Sequence, residues 1–264
     1  MSGDCLTPDW PAPARVRALC TTRDGGVSLG VYAGLNLGDH VGDAPESVAA
    51  NRALLRDRLA LPGEPLWLRQ VHGCAVVGDP LEAGPGACEA DAVVALGPGT
   101  VCAVLTADCL PILMCDRAGT RVAAVHAGWR GLVAGICEAA VARMQAAPAD
   151  LLVWLGPAIG PRAFEVGDEV RAAFLGEDPG AAAAFCPSPG GRWLADLYLL
   201  ARQRLGALGV GEVWGGDLCT YTDARRFYSY RRDGVTGRMA SLIWLDPDAP
   251  GQPESPPRPS EVIP

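Results

Sequence analysis

Between residues 66 and 125 the chain passes through six short apolar segments, 66–71, 75–77, 92–96, 101–106, 112–115 and 122–125, each cut off by Gly, Pro or Asp. None is long enough for a packed helix, and all have the length of a strand. Helix-like patterns lie to either side. Residues 45–61 carry apolar side chains near Val48, Leu54, Leu55 and Leu59 with arginines between them, and 130–147, 167–175 and 193–208 read as further helices. Segments 15–21, 151–155 and 238–245 read as outlying strands. Strand clusters broken by helices, without strict βαβ alternation, predict a mixed α+β arrangement within the α/β class, layered as a sandwich, in preference to a doubly wound sheet. One catalytic domain over 1–245 accounts for the length. Residues 246–264 hold seven prolines and little apolar content, which predicts a disordered tail.

Composition closes off several chemistries. The 264 residues carry a net charge of -8, which disfavours general binding to nucleic acid or anionic membrane. All 22 basic residues are arginine, so lysine Schiff bases, a pyridoxal lysine and a Walker-type lysine are excluded. Any phosphate must be held by guanidinium groups and backbone amides. No apolar run approaches the roughly 20 residues that cross a bilayer, and no secretory leader pattern opens the chain. The ten cysteines therefore read as reduced thiols of a cytoplasmic protein, mostly small apolar fillers. No CxxC pair is present, which disfavours a four-cysteine structural zinc site.

The chain has only three histidines: His40, His72 and His126. Two of them end strand-like runs, in LRQVHGCAVV and VAAVHAGWRG, and VLTADCLPILM places Cys109 similarly. Any one alone is most simply a hydrogen-bonded strand-end residue or a filler. Together, two imidazoles and a thiolate make a tetrahedral zinc site with its fourth position open, the catalytic pattern in preference to the structural one.

These segments resemble the family described as laccase-domain or multicopper polyphenol oxidase (YfiH-like) proteins, whose members are now largely described as purine nucleoside phosphorylases with adenosine deaminase activity. The likeness runs through TTRDGGVSLGVYAGLNLGDHVGD, NRALL, QVHG, TADCLP, AVHAGWRG, LGPAIGPRAFEVGDEV, CTY and FYSYRRDGVTGRMASLIWL, nearly the whole chain. It implies one zinc ion on His72, Cys109 and His126, and an α/β/β/α sandwich related to a toxin-type cysteine hydrolase fold. The older oxidase label fails on arithmetic. One type 1 copper takes two histidines and a cysteine, leaving a single histidine for a trinuclear cluster that needs many.

Phosphorolysis needs a phosphate cradle beside the ribose. Arg52 is the first choice, with Asn36 and His40 of the glycine-rich loop as polar partners, and Arg130 after His126 is the second. Each arginine can equally be a surface ion pair. Zinc suits both partial reactions, polarising a purine nitrogen or carrying the water that attacks C6. Asp108 and Glu165 are the candidate proton donors, or else carboxylates that orient a histidine or satisfy a turn. Two rival readings remain. Cys109 with His126 could form the nucleophile pair of a cysteine hydrolase or amidase, which suits peptidoglycan quality control, or the chain could bind zinc or a ligand without catalysis. The expected partners are purine nucleosides and phosphate; oligomeric state is left open.

Overall fold

A computed structural model describes residues 5–78 and 88–248. The centre is a six-stranded sheet in the order β12-β8-β6-β7-β4-β3. Its strands are β3 (Val76–Val77), β4 (Ala92–Ala95), β6 (Leu110–Asp116), β7 (Val122–Ala127), β8 (Leu151–Leu155) and β12 (Glu212–Gly215). A four-stranded sheet lies beside it, formed by β1 (Cys5–Leu6), β2 (Val16–Thr21), β13 (Met239–Leu245) and β5 (Cys102–Thr106) in that order. Successive side chains along a strand point to opposite faces. On β6, Leu113 and Cys115 join Val93, Val104, Trp154 and Ile243 in one core between the two sheets. Ile112 and Met114 face the other way, into a core with Ile136, Ala140, Phe174, Leu200 and Leu205. The outer face of the second sheet, through Leu19, Leu105, Leu242 and Trp244, packs on Leu55 of α1 (Pro45–Leu59) and on Leu35 and Leu37. The layers therefore run α/β/β/α. Strands buried on both faces read as continuous apolar runs, which is why β5, β6 and β7 are so plain in the sequence.

Three expectations are corrected. Residues 66–71 form no strand; they make only the isolated bridges Leu66↔Cys102 and Arg69↔Glu89. The helix expected over 130–147 is two, α2 (Trp129–Ala134) and α3 (Ile136–Arg143), because Gly135 takes the left-handed conformation at φ 92° and serves as C-cap of one and N-cap of the next. Trp193 does not begin a helix. It lies in β11 (Arg192–Ala195), which pairs with β10 (Phe185–Ser188) and β9 (Glu165–Val166) in a small third sheet. The helix α5 (Leu197–Ala207) starts only after Asp196, whose side chain accepts from the Leu199 amide. The helix near 167–175 is α4 (Asp168–Glu177), and a short α6 (Tyr230–Asp233) was not anticipated. The expected disordered tail falls almost entirely outside the described residues.

None of the ten cysteines, all among the described residues, is in a disulfide, and burial pushes Cys20, Cys102 and Cys137 up to about 12, where they act as small apolar side chains. Among the described residues no helix is long and apolar enough to cross a membrane.

Candidate metal centre

The register of three neighbouring strands assembles the centre. In the β6–β7 hairpin Leu110 opposes Ala127, so Cys109, just before β6, lies beside Gly128, just after β7. In the β4–β7 pair Ala92 opposes Val125, which puts Asp91 next to His126. The His126 amide donates to the Asp91 carbonyl at 2.7 Å, and His126 Nδ1 meets Asp91 Oδ1 at 2.8 Å. The third segment is the turn that precedes β3. Its Gln70 side chain imitates a strand neighbour, donating to the Leu105 carbonyl at 2.8 Å and accepting from the Leu105 amide at 2.7 Å. The amides of Val71, His72 and Gly73 then all donate to the Asp91 carboxylate, at 3.3, 2.9 and 2.7 Å.

One buried carboxylate thus fixes both histidines. His72 is held at φ 62°, a left-handed conformation that a non-glycine residue adopts at a cost and that is repaid by these contacts. The donor atoms of His72, Cys109 and His126 all lie within 4.8 Å of one another, with Cys109 Sγ 3.8 Å from His72 Nε2. The two imidazoles stand nearly perpendicular at 82°. His126 offers Nε2 because Asp91 occupies Nδ1, the second hydrogen bond typical of a metal-binding histidine. His126 is buried, Cys109 half-buried and His72 exposed, so the centre opens to solvent on the His72 side.

Electrostatics favour the ligand form of the thiol. Burial pushes Cys109 up, but the charges and hydrogen bonds of His126 and His72 overcome it and bring it well below an ordinary cysteine. Burial opposes protonation of His126, yet the Cys109 thiolate and Asp91 raise it above the usual histidine range. Each partner thus favours the charged form of the other, and a metal ion bound here would compete with the His126 proton. Burial likewise opposes ionisation of Asp91, while His126 and the turn amides hold its carboxyl below the usual range. The stabilisation it supplies is therefore complete at neutral pH and is lost as pH falls through that depressed value.

Gly128 supplies room. A Cβ at this position would stand 3.0 Å from Cys109 Sγ and 3.1 Å from His72 Cδ2. Ligand positions tolerate errors of only about 0.2 Å. Gly128→Ala is expected to lower metal affinity by at least about tenfold while leaving the metal-free melting temperature within a few degrees. Competition with a chromophoric chelator and a thermal melt in chelator check both halves.

The other sequence-selected residues are placed as follows. Asp108, at φ 99°, accepts from Thr220 Oγ1 at 2.6 Å and from the Arg231 amide at 2.6 Å, so it ties two later segments to the cysteine turn. The Glu165 carboxylate is taken by Arg192 Nε and Ser188 Oγ, both at 2.8 Å. Asn36 is fully buried, bridging the Gly38 and Arg238 amides and Asp43. His40 is exposed, 3.4 Å from Asp39. Arg52 gives both Nε and Nη2 to the Leu37 carbonyl and stacks on Trp67. Arg130 stacks on Trp129 at the exposed start of α2. The geometry brings together the three metal donors and keeps Asp108 adjacent; Asn36, Arg52 and Glu165 are engaged elsewhere. Sequence reasoning missed Asp91, whose only signal is a carboxylate immediately ahead of an apolar strand, and Glu89 two residues earlier shares nearly the same context.

Comparison with known proteins agrees along nearly the whole chain. The family model described as multi-copper polyphenol oxidoreductase laccase matches residues 17–246. A purine nucleoside phosphorylase of Pseudomonas aeruginosa is 59% identical over 242 residues, covering 91% of this chain and 98% of its own. The purine nucleoside phosphorylase YfiH of Escherichia coli is 56% identical over 243 residues, covering 91% and 98%. Among solved structures, a Neisseria meningitidis protein superposes with a TM-score of 0.89 at 53% identity, covering 92% of this chain and 99% of its own. YlmD from Geobacillus stearothermophilus gives 0.87 at 32% identity, covering 93% and 97%.

Proposed function

The chain belongs to the multi-copper polyphenol oxidoreductase laccase family, and from that premise we propose that it is a zinc-dependent purine nucleoside phosphorylase with adenosine deaminase activity. The observation that carries the proposal is the solvent-open His72–Cys109–His126 triad, held by Asp91, in a chain whose relatives bear the phosphorylase name. Two imidazoles and a thiolate in this arrangement suit zinc with one position left for water or substrate. They cannot supply multicopper oxidation, because His40 alone remains for a second copper cluster.

Bound zinc would supply Lewis acidity and, with it, a water ionised near neutral pH. The protein's own residues do the rest. Cys109 enters as a thiolate, Asp91 fixes the tautomer of His126 and the position of His72, and Gly128 keeps the approach clear. In phosphorolysis a phosphate oxygen bonds to the ribose anomeric carbon while the glycosidic bond breaks and its electron pair leaves with the purine, which takes up a proton. In deamination water adds at C6 and ammonia leaves. Adenosine, inosine and methylthioadenosine are the substrates proposed for the first reaction, adenosine for the second. Asp108 and Arg130 lie nearest the donors in sequence and remain the candidates for proton transfer and for the rim of the phosphate site. The acidic net charge accords with a cytoplasmic protein that binds neither nucleic acid nor membrane.

A second reading has its own observation. Asp91, His126 and Cys109 follow one another as orienter, base and thiol, the order used by cysteine hydrolases, and the four-layer sandwich suits the toxin-type hydrolase likeness. Metal separates the two readings. Zinc-loaded protein given adenosine and phosphate is expected to form adenine, ribose 1-phosphate and inosine; stripping the metal should abolish all three products, and returning zinc should restore them. Turnover that survives complete demetallation supports the thiol instead. Stoichiometric zinc with no nucleoside consumption leaves binding as the function.

A further inference from the structure

A phosphate co-substrate in a chain without lysine calls for a guanidinium or backbone amides, and one arginine beside the cysteine turn, Arg238, was not among those the sequence singled out. β13 begins at Met239, which opposes Thr106 at the end of β5. The chain leaving Thr106 reads Ala107, Asp108, Cys109, so Arg238, one residue ahead of Met239, lies alongside the cysteine turn. Its backbone is locked to the glycine-rich loop: the Arg238 amide donates to Asn36 Oδ1 at 2.9 Å, and the Leu37 amide donates to the Arg238 carbonyl at 3.2 Å. Its stem lies against Gly38, where a Cβ would stand 2.7 Å from Arg238 Cγ. The loop glycine is thus the space through which this side chain passes.

The head group is only half committed. Nη1 donates to the carbonyls of Thr236 and Gly237 at 3.0 and 3.1 Å. Among the described residues no acceptor lies within hydrogen-bonding reach of Nε or Nη2, and no carboxylate pairs with the charge. The nearby carboxylates are engaged: Asp108 with Thr220 and Arg231, Asp39 with Arg52 and His40. Arg232 differs, having given its whole guanidinium to the carbonyls of Thr220, Tyr221 and Phe227 and to Asp233, and Arg231 is turned the other way, with Nη1 on the Glu165 carbonyl and its head over the Phe164 ring. Burial weakens the Arg238 charge, and Cys109 and Asp108 are the anionic groups that act on it most strongly. His40, though exposed, sits in the same field, its proton loosened by partial desolvation and then by the Arg238 charge. A half-buried guanidinium with its Nε–Nη2 edge open, beside a metal-binding thiolate, presents the two parallel donors that match two oxygens of a phosphate.

We infer that Arg238 grips the phosphate co-substrate through its Nε–Nη2 edge beside Cys109, with His40 as polar partner. This rests on the phosphorolysis reading and deepens it. The test measures inorganic phosphate binding to zinc-loaded protein by calorimetry, together with KM for phosphate and for nucleoside, in Arg238→Gln, Arg238→Lys and Arg52→Gln. Arg238→Gln is expected to weaken phosphate binding and raise its KM at least about tenfold, with zinc content and nucleoside KM held within about twofold. Arg238→Lys keeps the stem and charge but not the fork, and should recover part of the loss. It also serves as the measurement should the glutamine variant fail to fold. Phosphate affinity unchanged in both variants, a parallel rise in the two KM values, or a loss confined to Arg52→Gln overturns the assignment. Phosphate binding that depends on Arg238 in a protein without phosphorolysis leaves the anion site standing and removes the reaction.

Discussion

Cys109→Ala is expected to lose the metal and with it all turnover, while the protein still folds. Cys109 is the only thiol among the three donors, and it sits in a half-buried turn ahead of β6, outside the apolar cores. Its removal costs little packing. It does remove the charge that raises His126 and leaves two imidazoles with no anionic ligand. Losing even a partner of a ligand typically costs 10–100-fold in affinity, so losing the ligand itself should exceed about 100-fold. Metal analysis after dialysis, set against the melting temperature in chelator, separates an empty site from an unfolded chain. An alanine variant that retains stoichiometric metal after dialysis would remove Cys109 from the ligand set.

The second large effect is expected at Asp91. Its Oδ1 takes the His72 amide and His126 Nδ1, and its Oδ2 takes the Val71 and Gly73 amides. Asparagine has the same shape but replaces one acceptor with an NH2 group. Whichever way the amide turns, two donors face a third. Leaving buried donors unpaired costs about 1–3 kcal/mol each, so Asp91→Asn should destabilise the fold by roughly 3 kcal/mol and weaken metal binding about 10–100-fold. The acid limb of the stability curve should flatten as well. The wild-type carboxylate loses its contribution on acidification and the amide has none to lose. Denaturant melts at neutral and acidic pH, paired with chelator competition, measure all three. A variant with unchanged metal affinity would show that the histidines need no orienting carboxylate.

How much of this was legible in the sequence varies with the kind of burial. β5, β6 and β7 announce themselves because both faces are covered, so apolarity alone marks them. The same rule misleads at residues 66–71, which are apolar yet make contact through two bridges and the Gln70 side chain, because Gln70 supplies the ladder bonds that a strand would have used. Gly135 was readable as a weak point in a helix but not as a full break, since only its left-handed φ ends α2. The donors stood out through scarcity: three histidines leave few combinations. Acidic residues number 30 with no such scarcity, and Asp91 becomes distinct only once β4 and β7 pair. Arginine suffers likewise. Arg52 sits in a motif but spends its fork on the Leu37 carbonyl, whereas Arg238 gains its place from the register of β13 against β5.

The donors His72 and Cys109 are 37 residues apart in the chain, and they converge only when the turn, the hairpin and the Asp91 strand have all assembled. An ion that binds this convergence and not the unfolded chain enters the folding equilibrium by mass action. At a free concentration a thousandfold above Kd it adds about 4 kcal/mol, a sizeable fraction of the ordinary stability of a domain. Metal starvation would then register first as a shortened lifetime against proteases, and only afterwards as missing product.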